Sequence, residues 1–516
     1  MASAGQGFEL PVLEGALKRR RRRRLLVAGS VVVVAAAAGL GLIAWLGGGS
    51  DACGGPGSGV SKVGGECVGV TDGSYAFSPE LSAIEKEIAD ENASATKPGG
   101  PVVTVAVLDP MTVDATSPLS MANVRNDLEG AYTAQYRVNH THVLGDQRPL
   151  IRLVLANEGS HEDQWQPVVH QLEGMVHGPA PLVAVTGMGV STTQTRDGAK
   201  DLAGHDIPTI AAIDTADQLN AADIHGFIRV VANNAQYVAS LRAYLDTRPD
   251  LDSAILVFDS NSDKTGASDL FTKSLRDDLQ SPDGFQKLLT FAPQGFAGVS
   301  EPSQANPDLF ANITANICSV KPKAVFYAGR GVDLPSFVDA LKNRVCDKTP
   351  ITLLTAGNNL GELNGQAPLL QSAGLTVVYA TMADQAGWLA GGPGTPHHFP
   401  DFAKAFHDLG FPDVDLVDGG AIMSHDAVLA ATQAARLAAQ AMPQAQGVPN
   451  AADVLNQEVD MNTQFFVPGA GGDLSFTFHG DNGSLSSEPI GKPLPVISVP
   501  PETGEASYTD VYTTTQ

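Results

Sequence analysis

The chain has 516 residues, 43% hydrophobic and 17% charged, too apolar for intrinsic disorder and long enough for two or three domains. Residues 1–24 hold seven cations (Lys18 and the run Arg19 to Arg24) against Glu9 and Glu14, a net +5 that leaves −29 of the total −24 on the other 492 residues. A body that acidic repels phosphate backbones, which excludes nucleic acid as a partner.

In chain order, the basic residues 1–24 precede the uncharged run Leu25–Leu46 (LLVAGSVVVVAAAAGLGLIAWL), long enough to span a hydrocarbon core of roughly 30 Å. The Arg block predicts a cytoplasmic tail over 1–24, a transmembrane anchor over 25–46 and a body outside the membrane. A cleaved secretory signal and a lipoprotein compete with this reading. The first has a shorter apolar core, and Ser50-Asp51-Ala52 before Cys53 does not fit a lipobox. All four cysteines follow the span, an even number in an oxidising space. Proximity favours Cys53–Cys67 and Cys318–Cys346, and no C-x₂-C spacing suggests a zinc site. Residues 47–100 read as a stalk, with the linker GGGSDACGGPGSG and a short helix carrying Leu81, Ile84 and Ile88 on one face.

From Val102 the pattern is regular. Apolar runs rich in β-branched residues occupy 102–108, 151–156, 182–187, 207–213, 253–259, 324–329, 350–356 and 375–381. Helix-period segments lie between them, over 127–139, 234–247, 268–279, 334–345, 399–410 and 425–442. Continuous apolar strands alternating with helices predict parallel sheets buried on both faces. About 350 residues of such units exceed one core, so the expectation is an α/β protein of two doubly wound, Rossmann-like lobes. Residues 464–485 read as a β-hairpin.

Catalytic patterns are lacking. Gly189-Val190-Ser191-Thr192-Thr193 fails the G-x-S-x-G elbow at its last position. No phosphate-cradling G-x-x-x-x-G-K-[ST] exists, and His161-Glu162 lacks the second His of H-E-x-x-H. His397-His398 sits in a Gly/Pro-rich loop and reads as solvated. The expectation is a non-enzyme without cofactor or metal. By contrast, several strands end in small or polar loops: Asp109, Met188 to Ser191, Asp214-Thr215, Asp259 to Asn261, Arg330, and Gly357-Asn358. Open α/β sheets bind ligands beyond the carboxyl ends of their strands, so two facing lobes would bring these loops to one cleft.

The order of elements and the text of VAVTGMGVSTTQT (183–195), IPTIAAIDTADQL (207–219), HGFIRVVANNAQYVASLRAYL (225–245), SAILVFDSNSDKTGASDLFTKSL (253–275), PKAVFYAGRGVDLPSFVDALKN (322–343) and GAGGDLSFTFHGDNG (469–483) resemble the type I periplasmic solute-binding proteins, the family of branched-chain amino-acid-binding proteins and receptor ligand-binding regions. The resemblance covers about 102–490. It implies two lobes joined by three crossings, near Val231–Asn233, near Thr381–Asp384, and between Ala445 and Asp460. Lobe 1 would be 102–232 plus 381–450, lobe 2 would be 233–380 plus 455–500, and 501–516 a C-terminal tail. It also implies that Met188 to Ser191 and Asp214-Thr215 grip a ligand's carboxylate and ammonium groups. Thr265, Arg330 and Gly357-Asn358 depart from the family's aromatic and acidic ligand residues. Asp109, Asp214, Asp259 and Arg330 therefore suggest a polar, zwitterionic or cationic small molecule.

The expected ligand set is Asp109, Met188, Ser191, Asp214, Thr215, Asn261, Arg330 and Asn358. The expected function is membrane-anchored capture of a small polar, amino-acid-like solute for an ABC-type permease or a sensing partner. The competitors are a receptor or scaffold ectodomain binding a protein and a hydrolase on an α/β frame, the second disfavoured by the missing elbow. Asp214 and Arg330 should face either the ligand or each other, since buried charge without a partner is costly.

Overall fold

The computed structural model describes residues 53–516 except 56, 98, 146–147, 264–267, 299–308, 347–348, 358–359, 443–447, 463, 478–485, 502–508 and 515–516. The expected basic tail 1–24 and anchor 25–46 lie outside the described residues. Among the described residues, no helix is long and apolar enough to cross a membrane.

The first lobe is built from β1 (Val60–Val63), β2 (Glu66–Thr71), α1 (Ser82–Thr96), β3 (Val102–Asp109), α2 (Met121–His140), β4 (Leu150–Asn157), α3 (Trp165–Glu173), β5 (Leu182–Gly187), α4 (Thr193–Ala203), β6 (Thr209–Ala211) and β7 (Phe227–Arg229). Its seven strands are ordered β1-β2-β4-β3-β5-β6-β7. The five strands β4-β3-β5-β6-β7 pair in parallel, as their unbroken apolar text requires. All eight residues of β3 are buried.

The chain then crosses to the second lobe, which contains α5 (Asn234–Asp246), β8 (Ala254–Asp259), α6 (Leu270–Gln280), β9 (Gln294–Phe296), α7 (Ala311–Val320), β10 (Ala324–Ala328), α8 (Leu334–Lys342), β11 (Ile351–Ala356), α9 (Ala367–Ser372) and β12 (Leu375–Ala380). It returns to the first lobe for α10 (Gln385–Leu389), α11 (Phe399–Asp408), α12 (Gly420–Ala441) and α13 (Ala451–Leu455). It finishes in the second lobe with β13 (Pro493–Val499) and β14 (Thr509–Thr513), giving the sheet order β14-β13-β12-β11-β10-β8-β9. Each sheet has its own apolar core, around Leu108, Val154, Val185 and Phe227 in lobe 1 and around Val257, Tyr327, Phe337 and Leu353 in lobe 2.

The two-lobe α/β expectation holds. Asn233 caps α5 as the chain enters lobe 2, its side chain accepting from the Gln236 N–H. Asp384 caps α10 on the way back, accepting from the Gly387 N–H.

Three boundaries differ from expectation. Part of the supposed stalk belongs to lobe 1: β1 and β2 form a hairpin whose second strand pairs antiparallel with β4, and α1 packs on β4 and α2. Its apolar face, Leu81, Ile84 and Ile88, is buried there. The third crossing falls after Glu488, not between 445 and 460. The short helix α13 still packs on β5 and α12, and the Asp426 carboxylate of α12 accepts from the Ala470 and Gly471 N–H groups. Finally, the supposed tail contains β14, which pairs antiparallel with β13 and closes that edge of the second sheet. The expected hairpin over 464–485 is present at its base, where Val467 and Leu474 exchange two backbone hydrogen bonds of 2.9 Å.

All four cysteines are in disulfides. Cys318 of α7 bonds Cys346, which follows α8, so the bridge joins the elements flanking β10 as expected.

Candidate functional site

The carboxyl ends of the two sheets meet at one seam. Its lobe 1 side is the turn Gly187–Thr192 between β5 and α4. Gly187, Met188 and Gly189 all have positive φ, of 88°, 72° and 64°, so the chain folds sharply back on β3. The Met188 N–H donates to the Leu108 carbonyl at 2.8 Å. Glu162 holds the rest of the turn: its carboxylate accepts from the Val190 N–H at 2.7 Å and from the Thr192 and Thr195 hydroxyls at 2.6 and 2.9 Å. Thr192 and Thr195 form the capping box of α4.

Ser191 stands at the centre. Its hydroxyl accepts from the Thr215 and Ala216 N–H groups at 3.0 and 3.2 Å, tying the two lobe 1 loops together. Its carbonyl accepts from lobe 2: the Leu270 and Phe271 N–H groups at the start of α6, at 3.0 and 3.2 Å, and Arg330 Nη2 at 3.2 Å. The Thr193 N–H donates back to the Ser268 carbonyl at 2.8 Å. A carbonyl against a helix N-terminus and a guanidinium is well placed electrostatically. The lobes are therefore closed on each other here.

Arg330 is not paired with Asp214. It forks onto Asp269, with Nε–Oδ2 at 2.8 Å and Nη2–Oδ1 at 3.1 Å, and its guanidinium lies 5.0 Å from the Phe271 ring centroid. Asp269 also caps α6 through the Thr272 N–H. The bidentate pair aims Arg330 at lobe 1.

Asp214 is fully buried, and the Ser191 hydroxyl is the one hydrogen-bonding neighbour of its carboxylate. Its backbone carbonyl accepts from Arg229 Nη1 at 3.0 Å, as does that of Ala216 at 3.1 Å. Arg229 itself is fully buried and pairs with Glu488 at 3.3 Å, linking the Asp214 loop to the third crossing. Burial, reinforced by the nearby Glu162 charge, pushes the Asp214 carboxyl well above its ordinary range, against the opposing pull of Arg229. Asp109 accepts from the Gly189 N–H at 3.2 Å through Oδ1 only. Burial, with a contribution from Glu162, raises it to about 7.

Of the expected ligand residues, Asp109, Met188, Ser191, Asp214, Thr215 and Arg330 thus share the seam. Met188 serves through its backbone turn, and Thr215 through its N–H and through its carbonyl, which accepts from the Asn234 N–H at 2.7 Å. Asn261 holds a lobe 2 loop, donating through Nδ2 to the Gly298 carbonyl. Its backbone N–H and that of Gly298 both donate to Asp259. Asn358, and Thr265 with it, lie outside the described residues.

Sequence reasoning missed Glu162, Glu158, Arg229 and Asp269. Glu162 entered only as a failed metal motif, and its retrievable signal was its place in the loop following a parallel strand, where ligand loops gather. Asp269 three residues before Thr272 carries a helix-start signal.

No protein-family model matches the sequence, and no curated protein matches it. Solved structures do. An ABC transporter substrate-binding protein from Desulfitobacterium hafniense in complex with Leu superposes with a TM-score of 0.54 at 13% identity, over 79% of this chain and all of that one. The branched-chain amino acid transporter substrate-binding protein of Streptococcus pneumoniae, in complex with isoleucine, gives 0.54 at 14% identity over 80% and 100%. A solute-binding protein of an ABC transporter from Rhodopseudomonas palustris, in complex with 3,4-dihydroxybenzoic acid, gives 0.56 at 13% identity over 80% and 98%. The fold is therefore that of the type I periplasmic binding proteins, as the resemblance implied.

Proposed function

We propose that the chain is an extracytoplasmic solute-binding protein that captures a small polar solute between its lobes and presents it to an ABC-type permease or a sensing partner. It acts by binding and not by catalysis. The observation that supports this best is the seam itself: loops from the carboxyl ends of both sheets converge on Ser191, with Arg330 of lobe 2 reaching its carbonyl. Closure around a solute at such a junction is a hinge motion about three crossing strands. The apolar run 25–46 would anchor the body to the membrane, with residues 1–24 in the cytoplasm.

Two experiments test this. Native mass spectrometry of the purified chain should find a co-purifying small molecule, released on unfolding. If none is found and no solute raises the Tm, solute capture is wrong and a protein-binding ectodomain takes its place. Protease treatment of intact spheroplasts should degrade the body, and a protected body would refute the topology.

A further inference from the structure

Four carboxylates from three strand ends crowd the lobe 1 side of the seam. Asp109 ends β3, Glu158 and Glu162 follow β4, and Asp214 follows β6; none is more than 2% exposed. Asp109, Glu158 and Glu162 surround the Gly187–Gly189 turn. A Cβ placed on Gly189 would lie 2.3 Å from Glu162 Oε1 and 3.3 Å from Glu158 Oε1, and one on Gly187 would lie 3.1 Å from Asp109 Oδ2. Asp214 is close enough that its charge and those of Glu162 and Glu158 oppose one another.

The protein satisfies only part of this set. Glu162 is fully engaged by the turn, but Asp109 Oδ2 and Glu158 Oε1 are buried without a hydrogen bond, and Asp214 has the Ser191 hydroxyl as its one hydrogen-bonding neighbour. Unmet buried acceptors are costly, and more so when charged. Each of the two arginines nearby already has its own acid, Arg330 with Asp269 and Arg229 with Glu488. Buried acids that outnumber the counter-charges near them are a mark of a ligand site.

We propose that Asp109, Glu158 and Asp214 form a subsite for a small organic cation bearing amine or guanidinium groups. The proposal rests on the solute-binding reading and specifies its ligand. An anionic ligand group fits poorly: the Thr215 and Ala216 amides already donate to the Ser191 hydroxyl oxygen, and Arg330 is neutralised by a bidentate carboxylate. A metal ion fits poorly too. Among the described residues, the seam acids do not bring three ligand atoms within 4.8 Å of one another, as Glu173, Asp201 and His205 do elsewhere on lobe 1. Carboxylates spread in this way suit a cation whose several N–H donors reach different acceptors.

The test uses the full chain in detergent, with putrescine, agmatine, L-leucine, sodium acetate and magnesium chloride as probes in thermal-shift and calorimetric titrations at pH 8. Putrescine or agmatine should raise the Tm; acetate, leucine and magnesium should not. Asp214→Asn and Glu158→Gln, nearly isosteric changes, should each weaken that binding at least tenfold while leaving the circular dichroism spectrum unchanged. Binding should also release protons near pH 7, read as a dependence of the calorimetric enthalpy on buffer ionisation. If leucine or acetate binds and the amines do not, the cation assignment falls while solute capture stands. If only magnesium binds, the site is a metal site. If no probe binds and the co-purified molecule is neutral or anionic, the assignment falls as well. If nothing binds and nothing co-purifies, both readings fall.

Discussion

At the scale of single residues, the seam is governed by carboxyl groups held away from water. Asp109, raised to about 7 by burial and by Glu162, retains its proton in the folded state at pH values where the unfolded chain has lost it. Folding therefore gains from Asp109 at low pH, and that gain is lost as pH rises from about 4 through 7, at up to ~1.4 kcal/mol per pH unit. Asp109→Asn removes this dependence: in urea unfolding, the stability of the variant relative to the parent should rise from pH 5 to pH 8. A constant difference across that range would contradict the assignment. His425 acts in the opposite direction. Burial lowers it to about 4, which makes its Nε2 an acceptor for Arg137 at 2.8 Å. Its contribution is lost as pH falls from about 6.5 towards 4, so acid unfolding should begin later in His425→Gln than in the parent, if the variant keeps the Arg137 contact. Arg229, fully buried beneath the Asp214 loop, should be costly to truncate. Arg229→Ala strands Glu488 and two carbonyls and should destabilise the fold by about 3–5 kcal/mol, as denaturant titration would measure.

At the scale of elements, close approach decides the order of packing. Helix α12 runs beneath the first sheet and meets α2 at Gly130, where a Cβ would lie 2.0 Å from the Ala421 carbonyl oxygen. That atom is backbone and cannot turn aside. Gly130→Ala should accordingly cost ~1–3 kcal/mol through overpacking, against the small gain in helix propensity that the same change gives elsewhere. Chemical denaturation of the variant checks the sign, and a stabilised variant would refute the contact. The strands of both central sheets were legible because burial on two faces demands an unbroken apolar run. The edge strands were not. Glycines around β1 make its surroundings read as a linker, while Pro493 and Pro495 in β13 read as breaks in a strand. An edge or capping strand needs less burial and fewer ladder bonds, so its text is weaker.

At the scale of the whole molecule, the lobes are locked by few groups. Besides the Ser191 contacts, Asp217 of lobe 1 accepts from the Ser274 hydroxyl of lobe 2 at 2.8 Å. It also lies near Asp278, whose carboxyl is raised to about 8 by burial first and then by the neighbouring Asp217 and Asp277 carboxyls. Two carboxyls can share one proton but repel when both are ionised. Closure should weaken as pH rises through 8, seen as a larger radius of gyration by small-angle scattering at pH 9 than at pH 6.5. Asp278→Asn should abolish the difference. The disulfide Cys318–Cys346 closes a loop across lobe 2 with a sequence separation of 28. Replacing both cysteines by Ser should lower stability by ~3 kcal/mol in the chain-entropy model, with no change in solute affinity.

The sequence by itself determined the alternation of strands and helices and the division into two lobes. Each of these is local: a run of β-branched residues, a capping residue or a polar strand end carries its own signal over a few positions. The tertiary structure alone decided which side chains meet. Arg330 and Asp269 lie 61 positions apart, Ser191 and Arg330 lie 139 apart, and Arg229 and Glu488 come from widely separated parts of the chain. Such pairings are set by sheet order and lobe closure, which no local pattern encodes. For the same reason Glu162, unremarkable in its own loop, proved to hold the turn at the seam, and the third crossing moved to the residues that follow Glu488.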